Sequence, residues 1–296
     1  MRVVALGGGH GLAVTLTALR LLGVEPTAVV AVADDGGSSG RLRRDLGLLP
    51  PGDLRKALLA LADPAAEARE LFAYRFERGD LAGHNLGNLA MAALADLHGG
   101  FLEGLATAAA WLRVRGRVLP STLVPVRLCG RVEGRLVVGQ VAIAQARGRV
   151  EGVWLDPARP DAVPAAVEAV RAAELVLLGP GSTFTSVVPN LLVPELGRAV
   201  AAASDRVVYV CNLEAQQGET SGFPPEGHLA AILDHCPELR VAQVLCQRPG
   251  DAAAADREVR AFGELGARVV HAEVAAGDAP GRHDPARLAT ALKELS

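Results

Sequence analysis

The feature that most constrains this chain is the way one apolar run ends. Ala28-Val29-Val30-Ala31-Val32 reads as a buried strand, and it empties into Ala33-Asp34-Asp35-Gly36-Gly37-Ser38-Ser39-Gly40-Arg41. A tight turn needs one or two such residues. Here two carboxylates, three glycines and two serines stand together. Glycines let backbone amides approach a ligand, and hydroxyls donate to it. The acids can hold ribose hydroxyls or a divalent cation. In open α/β sheets, ligands bind beyond the carboxyl ends of the strands. The segment therefore predicts a binding site at such an end.

The flanking sequence supplies a matching fold. Arg2–Leu6 is a short apolar strand, Gly7–Gly11 a loop, and the stretch from Leu12 to Leu22 a helix with Leu12, Leu16 and Leu19 on one face. Gly23 ends that helix and Thr27–Val32 is the next strand. A βαβ start predicts an α/β fold with a mostly parallel sheet. After the breaker Pro50-Pro51-Gly52, Asp53 is expected as the N-cap of a helix carrying Leu54, Leu58 and Leu61. Further helices are expected over 67–76, 83–97, 101–112, 164–173, 191–203, 226–235 and 284–295, with strands over 175–178, 206–211, 241–246 and 267–270. Between 114 and 154, short β-branched runs over 119–126, 136–144 and 149–154 are broken by Gly and Pro. They read as an antiparallel β-rich insert, 114–154, in a core formed by 1–113 and 155–296.

Composition excludes several classes. A net charge of −3 gives no electrostatic reason for nucleic-acid binding, and 3% aromatic content argues against stacking platforms. Cys129, Cys211, Cys236 and Cys246 form no C-x-x-C pair, so reduced thiols in a cytoplasmic protein are expected. No apolar run reaches the roughly 20 residues that span a bilayer, so no membrane insertion is expected.

Gly8, Gly9, His10 and Gly11 lie between a strand and a helix. They fail the dinucleotide fingerprint, because Leu12 stands where its third glycine belongs, and no lysine makes them a P-loop. What remains is a glycine nest at a helix N-terminus, which favours an anion such as phosphate. Gly179-Pro180-Gly181-Ser182-Thr183 repeats this logic after another buried strand, Asn212 ends the next one, and Glu219-Thr220, after a Gln-Gln-Gly turn, is placed to form a lid. Asp34 and Asp35, with Gly36, Ser38, Ser39 and Arg41, complete the candidate set, Arg41 offering a planar fork to phosphate. Mg²⁺ uses one or two carboxylates plus substrate phosphates, which makes Asp34 and Asp53 the candidate metal ligands. Asn85 and Asn88 open a helix and serve either recognition or capping. No Ser-His-Asp order, H-E-x-x-H motif or activated cysteine is present. That suits a binding protein, or an enzyme acting by positioning and electrostatics.

GGGHGL (7–12), VADDGGSSGRLR (32–43), PPGDLRKAL (50–58), GHNLGNL (83–89), GRVLPST (116–122), LGPGSTFTSVVPNLLV (178–193) and CNLEAQQGET (211–220) closely resemble the YvcK-type gluconeogenesis factors. These belong to the superfamily of CofD, the 2-phospho-L-lactate transferase. The resemblance implies a Rossmann-like α/β core, helices on both sheet faces, and a small appended α+β region. It implies binding of a UDP-sugar such as UDP-N-acetylglucosamine and a regulatory role in carbon metabolism, the cell envelope and cell shape; a homo-oligomer is expected alongside. The alternative it implies is Mg²⁺-dependent phospholactyl transfer in coenzyme F420 synthesis. The full DDGGSSGRLR and PPGDLR runs depart from the CofD branch. Within the YvcK type, His10 replaces the commoner threonine, and Glu214-Ala215-Gln216-Gln217 departs from the usual run. A nicotinamide-dependent oxidoreductase is disfavoured by the failed fingerprint.

Overall fold

Val3-Val4-Ala5-Leu6 and Leu175-Val176-Leu177-Leu178 show no polar alternation, as expected of strands covered on both faces. In the computed structural model, which describes every residue except Arg147, Gln217, Pro280 and Ser296, these two runs are neighbours near the middle of a parallel sheet. The strands are β1 (Val3–Gly7), β2 (Thr27–Val30), β3 (Arg117–Pro120), β4 (Arg127–Val132), β5 (Arg135–Val138), β6 (Val150–Asp156), β7 (Leu175–Leu178), β8 (Val207–Val210), β9 (Gln243–Gln247) and β10 (Arg268–Ala272). The helices are α1 (Gly9–Leu21), α2 (Gly37–Leu46), α3 (Gly52–Leu61), α4 (Ala68–Ala73), α5 (Leu86–Leu97), α6 (Phe101–Trp111), α7 (Gln140–Gln145), α8 (Pro164–Ala172), α9 (Val188–Leu191), α10 (Pro194–Ala202), α11 (Pro225–His235), α12 (Ala252–Glu264) and α13 (Pro285–Glu294). A π-helical turn, Thr183–Val187, leads into α9.

The main sheet has seven strands in the order β10-β9-β8-β7-β1-β2-β3, all paired in parallel. From β1 the chain builds outward through β2 and β3. It then returns to β7, on the other side of β1, and builds away through β8, β9 and β10. The order therefore reverses between β1 and β7, and a crevice at such a switch point is where open α/β sheets take ligands. Helices flank the sheet, and Leu12, Leu16 and Leu19 of α1 are buried in the continuous core as the spacing predicted.

Three local expectations are corrected. Arg117–Pro120, expected at the start of an antiparallel insert, is the edge strand of the main sheet beside β2. Its apolar pattern fixes burial but names no partner. The small antiparallel sheet is β5-β4-β6, and its central strand β4 falls in the interval between the runs read as strands. The run 136–144 divides at Gly139 into β5 and α7. The glycine-serine segment after Asp35, read as loop, is mostly α2. Poor intrinsic helix formers are carried here by buried Ser38, Ser39, Gly40 and Leu42, with left-handed Gly47 as the stop. Finally, Asp53 is not a cap. Pro51 holds that position, and the Gly52 N–H donates to Ser39 Oγ at 3.0 Å, so the helix start is satisfied from α2.

Candidate functional site

Four loops meet at the switch point. The first corner is Gly8–Gly11, where β1 turns into α1. Gly8 is extended and Gly9 adopts φ +63°. The second is Asp34–Gly36 after β2, together with the start of α3. The third is Gly179–Ser182 after β7, and the fourth is Asn212 after β8. The corners touch. A Cβ at Gly11 would lie 2.1 Å from the Pro180 carbonyl oxygen, and one at Gly8 would lie 2.8 Å from Asp53 Oδ2. A Cβ at Gly52 would lie 3.3 Å from Asp34 Oδ2. The Gly181 N–H donates to Asn212 Oδ1 at 2.9 Å, tying the third corner to the fourth.

The acids stand in unlike settings. Asp34 Oδ1 accepts from the Gly36 N–H at 3.0 Å, and the Ser39 hydroxyl also bonds to this carboxylate. Burial, and then the neighbouring Asp53 charge, push the Asp34 pKa above its ordinary value. Asp53 is buried and paired with Lys56, Nζ to Oδ1 at 2.9 Å. His10 is exposed on the first turn of α1, with its pKa lowered by desolvation and then by the Lys56 charge. Two adjacent carboxylates, one with a raised pKa, suit a divalent cation that completes its shell with water and ligand phosphates. Asp34 and Asp53 would hold it. Among the described residues no group of three or more His, Cys, Asp or Glu is placed to hold a metal by itself.

The remaining expected residues lie elsewhere or face inward. Asp35 turns away, and its Oδ1 accepts from the Val141 N–H at 2.9 Å in the first turn of α7. Ser38 Oγ bonds to His84 Nδ1 at 3.2 Å and accepts from the Asn85 N–H at 3.3 Å. Asn85 caps α5 and donates from Nδ2 to the Ala73 carbonyl at 3.1 Å. Asn88 Oδ1 accepts from Arg55 Nε at 2.9 Å, and Arg41 donates to the Ala82 carbonyl at 2.9 Å. These residues form an internal polar cluster joining α2, α3 and α5. Thr183 is fully buried, its hydroxyl 2.9 Å from His228 Nδ1. Burial lowers the His228 pKa to about 4.

Sequence reasoning gave Lys56 no role, and read Glu219 as part of a lid without a partner for its carboxylate. Lys56 lies one helical turn after Asp53, a spacing that signals an ion pair once α3 is placed. Glu219 is buried, and burial raises its pKa. It accepts from the Ser182 hydroxyl, from Thr185 Oγ1 at 2.9 Å, and from the Phe184 and Thr185 amides. These donors favour its ionised form, against the burial that raises its pKa. Of the segment 214–217 that departs from the usual family run, Gln217 lies outside the described residues.

A parallel sheet with glycine corners and acids at its switch point defines the class, and the comparisons give the family. The profile described as 2-phospho-L-lactate transferase CofD matches residues 3–288, and the chain belongs to that family. Similar curated relatives carry the name gluconeogenesis factor. The putative gluconeogenesis factor of Mycobacterium tuberculosis is 45% identical, over 98% of this chain and 89% of the relative. That of Nostoc sp. is 42% identical, over 98% and 68%. The gluconeogenesis factor of Bacillus subtilis is 43% identical, over 79% and 74%. A crystal structure of a UPF0052 family protein from Bacillus halodurans superposes with a TM-score of 0.91 at 36% identity, covering 99% of this chain and 98% of that one. Family and names together support a regulator or a CofD-like protein. Among the described residues, no helix is long and apolar enough to cross a membrane.

Proposed function

We propose that this chain is a cytoplasmic, homo-oligomeric nucleotide-sugar-binding regulator of carbon metabolism, the cell envelope and cell shape, with UDP-N-acetylglucosamine as the type of ligand. One observation carries the reading: the Gly8–Gly11 corner abuts both the Gly179–Ser182 corner and the Asp53–Lys56 pair at a sheet switch point. The α1 amides and the Lys56 ammonium suit a diphosphate. Asp34 and Asn212 suit ribose or sugar hydroxyls. The buried carboxylate of Glu219 is engaged by hydroxyl and amide donors, which favours binding over acid-base chemistry.

A thermal-shift titration with UDP-N-acetylglucosamine tests the reading. Ligand at 100 times its dissociation constant should stabilise the fold by about 2.7 kcal/mol. No shift at millimolar ligand counts decisively against it. Light scattering after size exclusion checks the oligomer. The second reading, Mg²⁺-dependent phospholactyl transfer, draws on the Asp34–Asp53 pair and the family. It requires consumption of a deazaflavin acceptor in the presence of a nucleotide-diphosphate donor.

A further inference from the structure

The third corner already has an occupant, supplied by the chain itself. Glu219 is 4% exposed, and it takes up the hydroxyls of Ser182 and Thr185 and the amides of Phe184 and Thr185. An anionic oxygen of a ligand at this corner would use the same hydroxyl donors. The segment that carries Glu219 is itself seated. Gly218 has φ +88°, and a Cβ there would stand 2.3 Å from the Ala144 carbonyl oxygen and 3.1 Å from that of Ala146. Gly218 therefore rests on the last turn of α7. The first turn of α7 is held by Asp35 through the Val141 N–H. The acid corner, α7, Gly218 and the Ser182 corner thus form one continuous series of contacts.

We propose that Gly218–Gly222 is an autoinhibitory strap. Glu219 holds the Ser182 and Thr185 hydroxyls in place of a phosphate oxygen of the ligand. Entry of that oxygen displaces the carboxylate and lifts Gly218 from α7. The identity of the physiological ligand rests on the nucleotide-sugar reading; the strap itself does not. A closed strap lowers apparent affinity by the fraction of molecules that are open, and deleting the competing carboxylate removes that factor. A Glu219 that served only to brace the corner would have the opposite effect, because its loss would leave the Ser182 and Thr185 hydroxyls with only each other and loosen the corner.

The probe is inorganic pyrophosphate, which carries neither base nor sugar, titrated by calorimetry into the full chain and its Glu219→Ala and Glu219→Gln variants. Both variants are expected to bind about tenfold tighter than wild type or better, the size of effect for a strap open in a tenth of molecules or fewer. In wild type, pyrophosphate is expected to speed amide exchange across 218–222 and α7. Should Glu219→Ala not fold, Glu219→Gln, which keeps the side-chain shape, carries the comparison. Equal or weaker binding by the folded variants overturns the strap, as does an absence of binding by all three proteins. A failure of UDP-N-acetylglucosamine to stabilise wild type overturns the ligand reading alone, because the pyrophosphate comparison stands without it.

Discussion

The first and third glycine corners are built from the same parts and finish in opposite states. Both follow a fully buried strand, and both turn on small residues into a helical segment. At Gly8–Gly11 the neighbouring charges are an ion pair, Asp53, whose Oδ2 would stand 2.8 Å from a Cβ at Gly8, and the Lys56 bonded to it. At Gly179–Ser182 the neighbouring charge is Glu219, bonded into the corner. A glycine motif therefore marks where a backbone can receive an anion. Whether the anion is a ligand or a side chain is decided by residues far away in sequence.

The sharpest way to break the comparison is at the seam between the two corners. Gly11→Ala drives a methyl into the Pro180 carbonyl, and the overpacking should cost about 3 kcal/mol, read as a lower denaturant midpoint at unchanged slope. Gly9→Ala meets open space and suffers only the left-handed backbone, φ +63°, so it should cost roughly 1–2 kcal/mol in the same assay. If the two variants lose equal stability, the corners are not in contact. Lys56→Met tests the cation of the first corner. Pyrophosphate affinity should fall about tenfold, roughly 1.4 kcal/mol by calorimetry, whereas an unchanged affinity would place the anion elsewhere.

A change confined to acidic pH is expected beneath the third corner. Folding holds His228 at a pKa of about 4, below its ordinary 6.5. The unfolded chain therefore binds more protons between those values. This contribution to stability is complete above pH 6.5 and is lost as the pH falls toward 4. Asp34 and Glu219, whose pKa values are raised, act with the opposite sign. The difference between wild type and His228→Gln isolates the histidine. Wild type should lose up to about 1.4 kcal/mol more per pH unit within that window, measured by denaturation at a series of pH values.

Much of the framework was legible from local pattern. Strand β1, helix α1 and strand β2 follow from period and punctuation, and the buried run before each glycine corner marked the sheet edge that matters. What escaped was set by tertiary partners. Helix α2 begins with four residues that favour turns, and its start is held in place by bonds from Ser38 and Ser39 to His84, Asn85 and Gly52. Asp53 looked like a cap because nothing local shows that Ser39 already serves the Gly52 amide. Asn85 and Asn88 carried the polarity of recognition residues, and they spend it on α5 and Arg55. Glu219 stood out only through the turn before it, since the bond that fixes its role is to a serine 37 positions earlier.

The hydrogen bond from Val141 to Asp35 has a consequence for anyone who would dissect the chain. None of the seven main-sheet strands falls within 127–156, so replacing that stretch by a short turn looks harmless on a topology diagram. The trimmed molecule would keep its scaffold and yet lose the Val141 N–H that anchors Asp35, the residue next to Asp34 in the acid corner. The appendage is better treated as part of the crevice wall than as a removable module.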